Sequence, residues 1–394
     1  METIKKADVI IIGSGVIGNS TAYYLAKEGL KVIVLEKDNI IGNGASTRNG
    51  GMNKINGRGL GEIPLSIYGL DLWPKLNEEI DCEYRELGGI RIALNDEQYE
   101  YMSRFLKFGK EYGLHFEEMD GSELRKRRPA FSDKITAAIY TKEESKMNPL
   151  KTTLGLYSKA RELGVEYFTG EKVSYLEEKQ GRINAVVTEC GHRFEADKIM
   201  VAAGYDSRAI LDTVGIDVPL YSYYEEIFVT EKVPRILDEM FVSAKVTYYG
   251  EQQENGSILF GGASGFGNYP NREIYPNNYQ EPKRLPATAR ALAEIFPCLA
   301  DTKIIRGWSG WMDISPDDSM MIGELEIPGL YMACGFSGHG FGIAIPTGKV
   351  MSELIAEKPL GADIQYLKLD RFKNHMDMFT GEDRNFQINA IQKK

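Results

Sequence analysis

The residues with the clearest chemical potential are Gly13, Gly15 and Gly18, spaced G-x-G-x-x-G, with an acid, Glu36, further along. Glycines at that spacing allow a tight turn, let a pyrophosphate approach the backbone, and let a helix pack closely on a strand. Ser14, Val16 and Ile17 then contribute amides at a helix start, where partial positive charge suits phosphate. Glu36, followed by Lys37, falls where a carboxylate accepts both hydroxyls of an adenosine ribose.

That chemistry needs elements to position it, and the flanking residues supply them. Val9 to Ile12 is a short apolar run of the kind a buried parallel strand shows. A helix is expected over Val16 to Lys27, stopped by Gly29, and Val32 to Leu35 reads as the second strand. Strand, helix, second strand and acid stand in register, which predicts dinucleotide binding. An ordinary glycine-rich strand-to-helix turn would leave Glu36 a coincidence. The unit alone does not separate NAD from FAD.

With 394 residues the chain can build two or three domain equivalents around a large core. A formal charge of −10 argues against a nucleic-acid binder. No apolar run approaches the ~20 residues of a membrane span, and METIKKAD leads directly into the first strand, with no room for a signal peptide. Cys82, Cys190, Cys298 and Cys334 are scattered, and His115, His192, His339 and His375 show no metal spacing. Idle or buried thiols in a reducing cytoplasm are the expectation, with no metal.

Beyond the first unit lies a glycine-rich loop, GNGASTRNGGMNKINGRG (42–59), and then a charged stretch, 98–130, that reads as helical. Its basic cluster Arg125–Arg128 is expected to be a solvated helix end. From Pro149 the pattern is α/β again: a helix over Leu150–Leu163, then strands Val165–Phe168, Lys172–Glu177, Ile183–Glu189 and His192–Glu195. Lys198–Val201 runs into the small turn Ala202-Ala203-Gly204, where backbone can meet a ligand. Residues 216–265 are strand-rich and aromatic, fitting a separate substrate sheet, and 285–296 form a helix. Strand Gly329–Ala333, a second glycine turn at 335–342 and a helix over 343–357 repeat the opening logic. The chain is expected to leave its cofactor domain and return to close it.

Four segments together carry a resemblance: GSGVIG with Glu36; the GASTRNGG loop; VAAGYDS (201–207); and RGWSGWMDISPDDSMMIG (306–323) with ACGFSGHGFGIAIPTGKVMSELI (333–355). The set resembles the D-amino-acid oxidase superfamily of flavoproteins, in its glycine oxidase, sarcosine oxidase and amino-acid dehydrogenase branch, over essentially the whole chain. The resemblance implies non-covalent FAD and an α/β, interleaved two-domain fold. A Rossmann-like FAD domain would comprise 1–85, 145–215 and 305–394, and a mixed antiparallel-sheet substrate domain 86–144 and 216–304. By the same resemblance FAD would contact Gly13 to Gly18, Glu36 and Lys37, and the loop residues Ala45, Ser46, Thr47, Arg48, Asn49, Gly50 and Gly51. It would also contact Val173 by the adenine, Ala203 and Gly204 under the pyrophosphate, Arg306, and the turn Gly338, His339, Gly340, Phe341 and Gly342.

The implied reaction is hydride transfer from an amine-bearing carbon to flavin, giving an imine that hydrolyses. Arg48, His339 and Tyr249 are the candidates for the catalytic end. Arg48 is otherwise a surface arginine, and His339 a satisfied turn histidine. Departures from the family are informative. Trp311 aligns with a flavin-linking cysteine of monomeric sarcosine oxidases. Gly51 and Gly342 align with an arginine and a lysine that grip the substrate carboxylate there. Arg306, Lys54 and Arg58 are possible replacements, while the segment Tyr221–Glu226 fits a cationic amine at least as well. Tyr269 aligns with a lysine that helps activate O2, which favours a dehydrogenase using a carrier. The reading is therefore an FAD-dependent amine or amino-acid oxidoreductase with O2 or a carrier as acceptor. A β-type subunit of a heteromeric dehydrogenase, an NAD enzyme and an idle flavoprotein scaffold are its rivals.

Overall fold

A computed structural model of the chain describes residues 5–244, 248–262 and 284–373. Tyr269 lies outside the described residues. One sheet has six strands in the order Glu166–Thr169, Val32–Glu36, Val9–Ile12, Lys198–Val201, Leu330–Cys334 and Met321–Glu324, all parallel except the last. Alternation sorts its side chains into two cores. Val9, Ile11, Val32 and Val34 pack under the helices Val16–Lys27, Pro149–Glu162 and Ala344–Ile355. Ile10, Ile12, Ile33 and Leu35 face a small antiparallel sheet carrying Val173, Leu176, Ile183, Val186 and Phe194. Both faces are covered, so Val9–Ile12 and the run from Val32 to Leu35 are apolar at every position. Each such side chain, fully buried, contributes about 1.5–3 kcal/mol.

The first helix spans Val16–Lys27 as its spacing predicts. It ends because Gly29 adopts φ +83°, which lets the Gly29 amide reach Ala26 O (2.9 Å) and the Leu30 amide reach Leu25 O (3.2 Å). Those paired bonds satisfy carbonyls that a helix end otherwise leaves open.

A second sheet has eight strands, ordered Ile304–Ile314, Tyr221–Lys232, Ser257–Gly261, Tyr249–Gln252, Met240–Ser243, Gly89–Ala93, Ala137–Thr141 and Phe116–Asp120. It is mixed, because Met240–Ser243 runs parallel to Gly89–Ala93 while the other pairs are antiparallel. Ile90, Phe228, Phe241 and Phe260 pack against Leu292 and Ile295 of the helix Arg284–Ile295.

Two sequence expectations need correction. The stretch 98–130 is not helical throughout: between the helices Asp96–Glu111 and Gly121–Arg127 lies the strand Phe116–Asp120. Its sequence, FEEMD, hides the strand because it is an edge strand whose acidic side chains face outward and whose pairing is carried by backbone. The strand Ile304–Ile314 hydrogen-bonds in the second sheet rather than the first, so a division of the two sheets near residue 305 falls too early. Arg127 closes its helix in solvent, paired to Glu117 (2.7 Å) and Glu123 (2.6 Å). Among the described residues no helix is long and apolar enough to cross a membrane.

Candidate active site

The first glycine turn is shaped by contacts no side chain could share. Gly13 has φ +104°, and a Cβ there would lie 2.4 Å from the carbonyl oxygen of Ala202. A Cβ on Gly18 would lie 2.0 Å from Gly13 O, so the helix can sit on the turn only through glycine. The loop 45–49 crosses the helix start, where the Val16 amide donates to Ser46 Oγ at 2.8 Å. Glu36 is held rigidly: its Oε2 accepts from the Ser14 amide (2.9 Å) and hydroxyl (2.7 Å), and its Oε1 from the Asp38 amide (3.0 Å).

A cavity of about 420 Å³ begins here, bordered by Gly13, Gly15, Val16, Ile17, Glu36 and Lys37. It passes Val173, Ala203 and Gly204 on one side and Ala45, Ser46, Arg48 and Asn49 on the other. Gly204, at φ +55°, has nothing within 4 Å of a Cβ position, so its backbone lies open to the space. The far end is walled by the second glycine turn (Gly338, Gly340, Phe341) and by Glu225, Tyr249, Trp311 and Asp313 of the second sheet. An elongated space with a helix N-terminus and an acid at one end, and a second glycine turn at the other, fits a dinucleotide with a bulky ring system.

Several residues expected in the site stand behind it. Ser14 supports Glu36, and Gly18 packs on Gly13. Thr47 Oγ1 donates to Gly42 O at 2.7 Å, anchoring the loop from within. Gly50 backs onto the ring of Tyr249. Gly51 has φ +75° and a Cβ there would meet Met147 O at 2.0 Å. A Cβ on Gly342 would meet Asn53 Cα at 2.7 Å, and its carbonyl accepts from Trp73 Nε1 at 2.8 Å. These two glycines are thus not gaps left by absent cations; backbone fills the space a side chain would need. Arg306 is exposed, with its guanidinium 5.3 Å from the centre of the Trp308 ring, and does not reach the cavity.

His339 stands between Gly338 and Gly340 of the turn but does not itself line the cavity. Arg58 Nη1 lies 2.9 Å from His339 Nδ1, and Arg58 Nη2 donates to His339 O at 3.0 Å. A guanidinium can only donate, so Nδ1 is the acceptor and Nε2–H donates to Asp318 O at 2.9 Å. Burial pushes the imidazole pKa down, in keeping with a neutral ring. His339 is a turn-holding residue rather than a proton carrier. Arg58 is likewise committed, leaving it no role as a substrate anchor.

Arg48 does border the cavity. Its Nε and Nη2 donate to Asn43 O (3.1 Å) and Oδ1 (3.0 Å), and its alkyl chain covers Gly310. Tyr249 lies between Gly50 and Lys54, whose Nζ is 4.8 Å from the ring centre. Burial first, and the nearby Glu225 charge second, push the phenol pKa well up, so Tyr249 stays protonated.

Glu225, from the segment Tyr221–Glu226 that the sequence offered to a cationic amine, and Trp311, aligned there with a flavin-linking cysteine, both line the cavity. Trp311 meets the Tyr224 ring edge-on at 5.1 Å. Glu225 pairs with Gly310 across the sheet, and burial lifts its carboxyl to about 7. Asp313 was missed. Its Oδ2 accepts from the Gly335 amide at 2.6 Å, and burial lifts it to about 6. Its signal was its place in the W-M-D-I-S-P segment just before the second glycine turn.

The FAD dependent oxidoreductase family, DAO, matches residues 8–354. Sarcosine oxidase subunit beta of Rhizobium meliloti is 27% identical, covering 93% of this chain and 88% of that protein. Hydrogen cyanide synthase subunit HcnC of Pseudomonas protegens is 24% identical, covering 94% of this chain and 97% of its own. L-proline dehydrogenase from P. horikoshii superposes with a TM-score of 0.86 at 25% identity, over 94% of this chain and 99% of that one. A match across nearly the whole chain, on a fold whose two glycine turns flank one cavity, settles the cofactor as FAD rather than NAD. The chain belongs to the DAO family, as an FAD-dependent oxidoreductase of the amine and amino-acid oxidase and dehydrogenase class.

Proposed function

We propose that the chain oxidises a C–N bond of a small amine or amino acid, yielding an imine that hydrolyses to a carbonyl compound. The observation that carries this reading is one continuous cavity joining the phosphate-type helix start to a chamber walled by Glu225, Tyr249 and Trp311. Bound FAD supplies the hydride acceptor. The amides of Gly15 and Ile17 and the helix dipole would hold its pyrophosphate and Glu36 its ribose, with Val173 beside the adenine, while the Gly13, Ser14 and Val16 amides brace the turn on Leu35, Glu36 and Ser46. Arg48 and the turn Gly338–Phe341 flank the ring system, where donors favour the negative charge that reduction places on it. Tyr249 and Trp311 wall the chamber, orient the substrate and exclude water. The test is anaerobic mixing of the yellow protein with sarcosine, glycine, proline, D-amino acids and polyamines. Bleaching by at least one is expected, and bleaching by none overturns the reading.

FAD is held without a covalent bond in this proposal. Neither cysteine nor histidine lines the cavity among the described residues, and Trp311, which aligns by resemblance with the sarcosine-oxidase linkage cysteine, does line it. Acid precipitation is therefore expected to leave all flavin in the supernatant. Flavin retained in the washed pellet would show a linkage.

A second reading is supported by relatives that are themselves named as subunits, the sarcosine oxidase beta and HcnC chains. On it, electrons leave through partner chains rather than directly to O2. Co-purification of further chains from the native host, with turnover in air lost on isolation, would favour it. Rapid H2O2 release by the isolated chain would sink it.

A further inference from the structure

We propose that Glu225 selects the substrate by accepting the N–H donors of a cationic amine, so that recognition rests on the nitrogen rather than on a carboxylate. This rests on the amine-oxidising reading above and names the chemistry of the same chamber.

One acceptor on the chamber wall has an unmet hydrogen bond. Several buried polar side-chain atoms lack a partner among the described residues, and Oε1 of Glu225 is the one that belongs to a residue lining the cavity. A carboxylate offers about four acceptor sites, and the Gly262 amide is the backbone donor that serves this one. A buried acceptor left short of donors costs roughly 1–3 kcal/mol. A ligand carrying N–H groups removes that cost on entering.

Charges of both signs surround this carboxyl. The groups facing Glu225 are Arg284, Lys54, Glu226 and the phenol of Tyr249. Arg284 donates to Tyr224 O at 2.7 Å, the residue just before Glu225 in the same strand, so its guanidinium is tied to backbone there. Lys54 stands across the Tyr249 ring, and burial, followed by the Arg91 charge, lowers it to about 7, which makes it a poor cation. Glu226 adds a like charge. Among the described residues, Arg58 is held on His339, Arg306 lies at the surface, and Arg48, which borders the cavity, donates to Asn43. Gly51 and Gly342 have no room for one.

The test uses three ligands of one shape on the FAD-loaded protein, followed by calorimetry and by perturbation of the flavin spectrum. tert-Butylammonium has no hydrogen on its nitrogen-bearing carbon, so it binds without turning over; tert-butanol and pivalate are its neutral and anionic counterparts. The cation is expected to bind roughly 10-fold or more tighter than pivalate, as a hydrogen bond to a charged group implies. Glu225 carries its proton below about 7, so cation affinity is lost as pH falls through that value. An alkylammonium stays protonated throughout this range. Glu225→Gln should lower cation affinity about 10-fold or more and flatten the pH dependence. Preferred binding of pivalate to the parent protein overturns the proposal, and that comparison needs no variant. Cation binding within twofold of the parent in a folded, yellow Glu225→Gln protein overturns it equally. Glu225-dependent cation binding with no bleaching by any amine would refute oxidation while leaving this site standing.

Discussion

Gly51→Arg, made to restore the carboxylate anchor of sarcosine oxidases, is expected to cost roughly 2–5 kcal/mol and to shed FAD rather than tighten substrate. Gly51 sits at φ +75°, a left-handed conformation that costs other residues about 1–2 kcal/mol. A Cβ there would lie 2.0 Å from Met147 O, and backbone atoms cannot swing aside as a side-chain end can. The Met147 amide donates to Gly51 O at 2.8 Å and Met52 pairs with Lys146, so relief of the clash breaks that junction. The loop carrying Ser46, Arg48 and Asn49 then shifts off the cavity. Gly51→Ala is the informative control, because the methyl alone suffices for the clash. Denaturation midpoints and flavin content of purified protein decide the matter. A fully flavinylated Gly51→Arg protein with tenfold better affinity for a carboxylate-bearing amine would refute this account.

Removing Arg58 should be costly for an electrostatic reason. Glu62 is fully buried, its Oε2 3.6 Å from Arg58 Nη1 and 3.7 Å from His339 Nδ1, while its Oε1 accepts from the Met320 amide at 3.1 Å. Arg58→Met strands that carboxylate, and loss of one partner of a buried pair costs about 3–5 kcal/mol. Arg58 also holds the second glycine turn through His339 O, so FAD should leave more readily. Adding Glu62→Gln should recover most of the stability without recovering the flavin. A loss below about 1 kcal/mol for Arg58→Met, or no rescue by the second change, would contradict the pairing.

The sequence by itself determined the elements and the cofactor end of the site. Val9–Ile12, Val16–Lys27 and Lys198–Val201 follow from local pattern, because a doubly covered parallel strand is apolar throughout and a helix stops where glycine can turn left-handed. Glu36 was legible because its spacing from Gly18 reflects the geometry of one strand–helix–strand unit. Phe116–Asp120 was not, since an edge strand is held by backbone pairing that leaves no apolar signature.

Only the tertiary structure decided what the flanking residues do. Gly51 and Gly342 read as missing cations until Met147 and Asn53, contributed by distant segments, were found filling their space. His339 read as a flavin neighbour until Arg58 and Asp318 were seen to hold its ring from behind. Glu225 read as one of two acids in a segment suited to a cationic amine, and pairing with the strand Ile304–Ile314 put it, rather than Glu226, on the cavity wall. The division has a physical cause. A phosphate-binding turn is built from contiguous residues and is written in their spacing. A pocket's polarity comes from side chains that meet only when separate segments fold together, and which of them keep a partner depends on every neighbour at once.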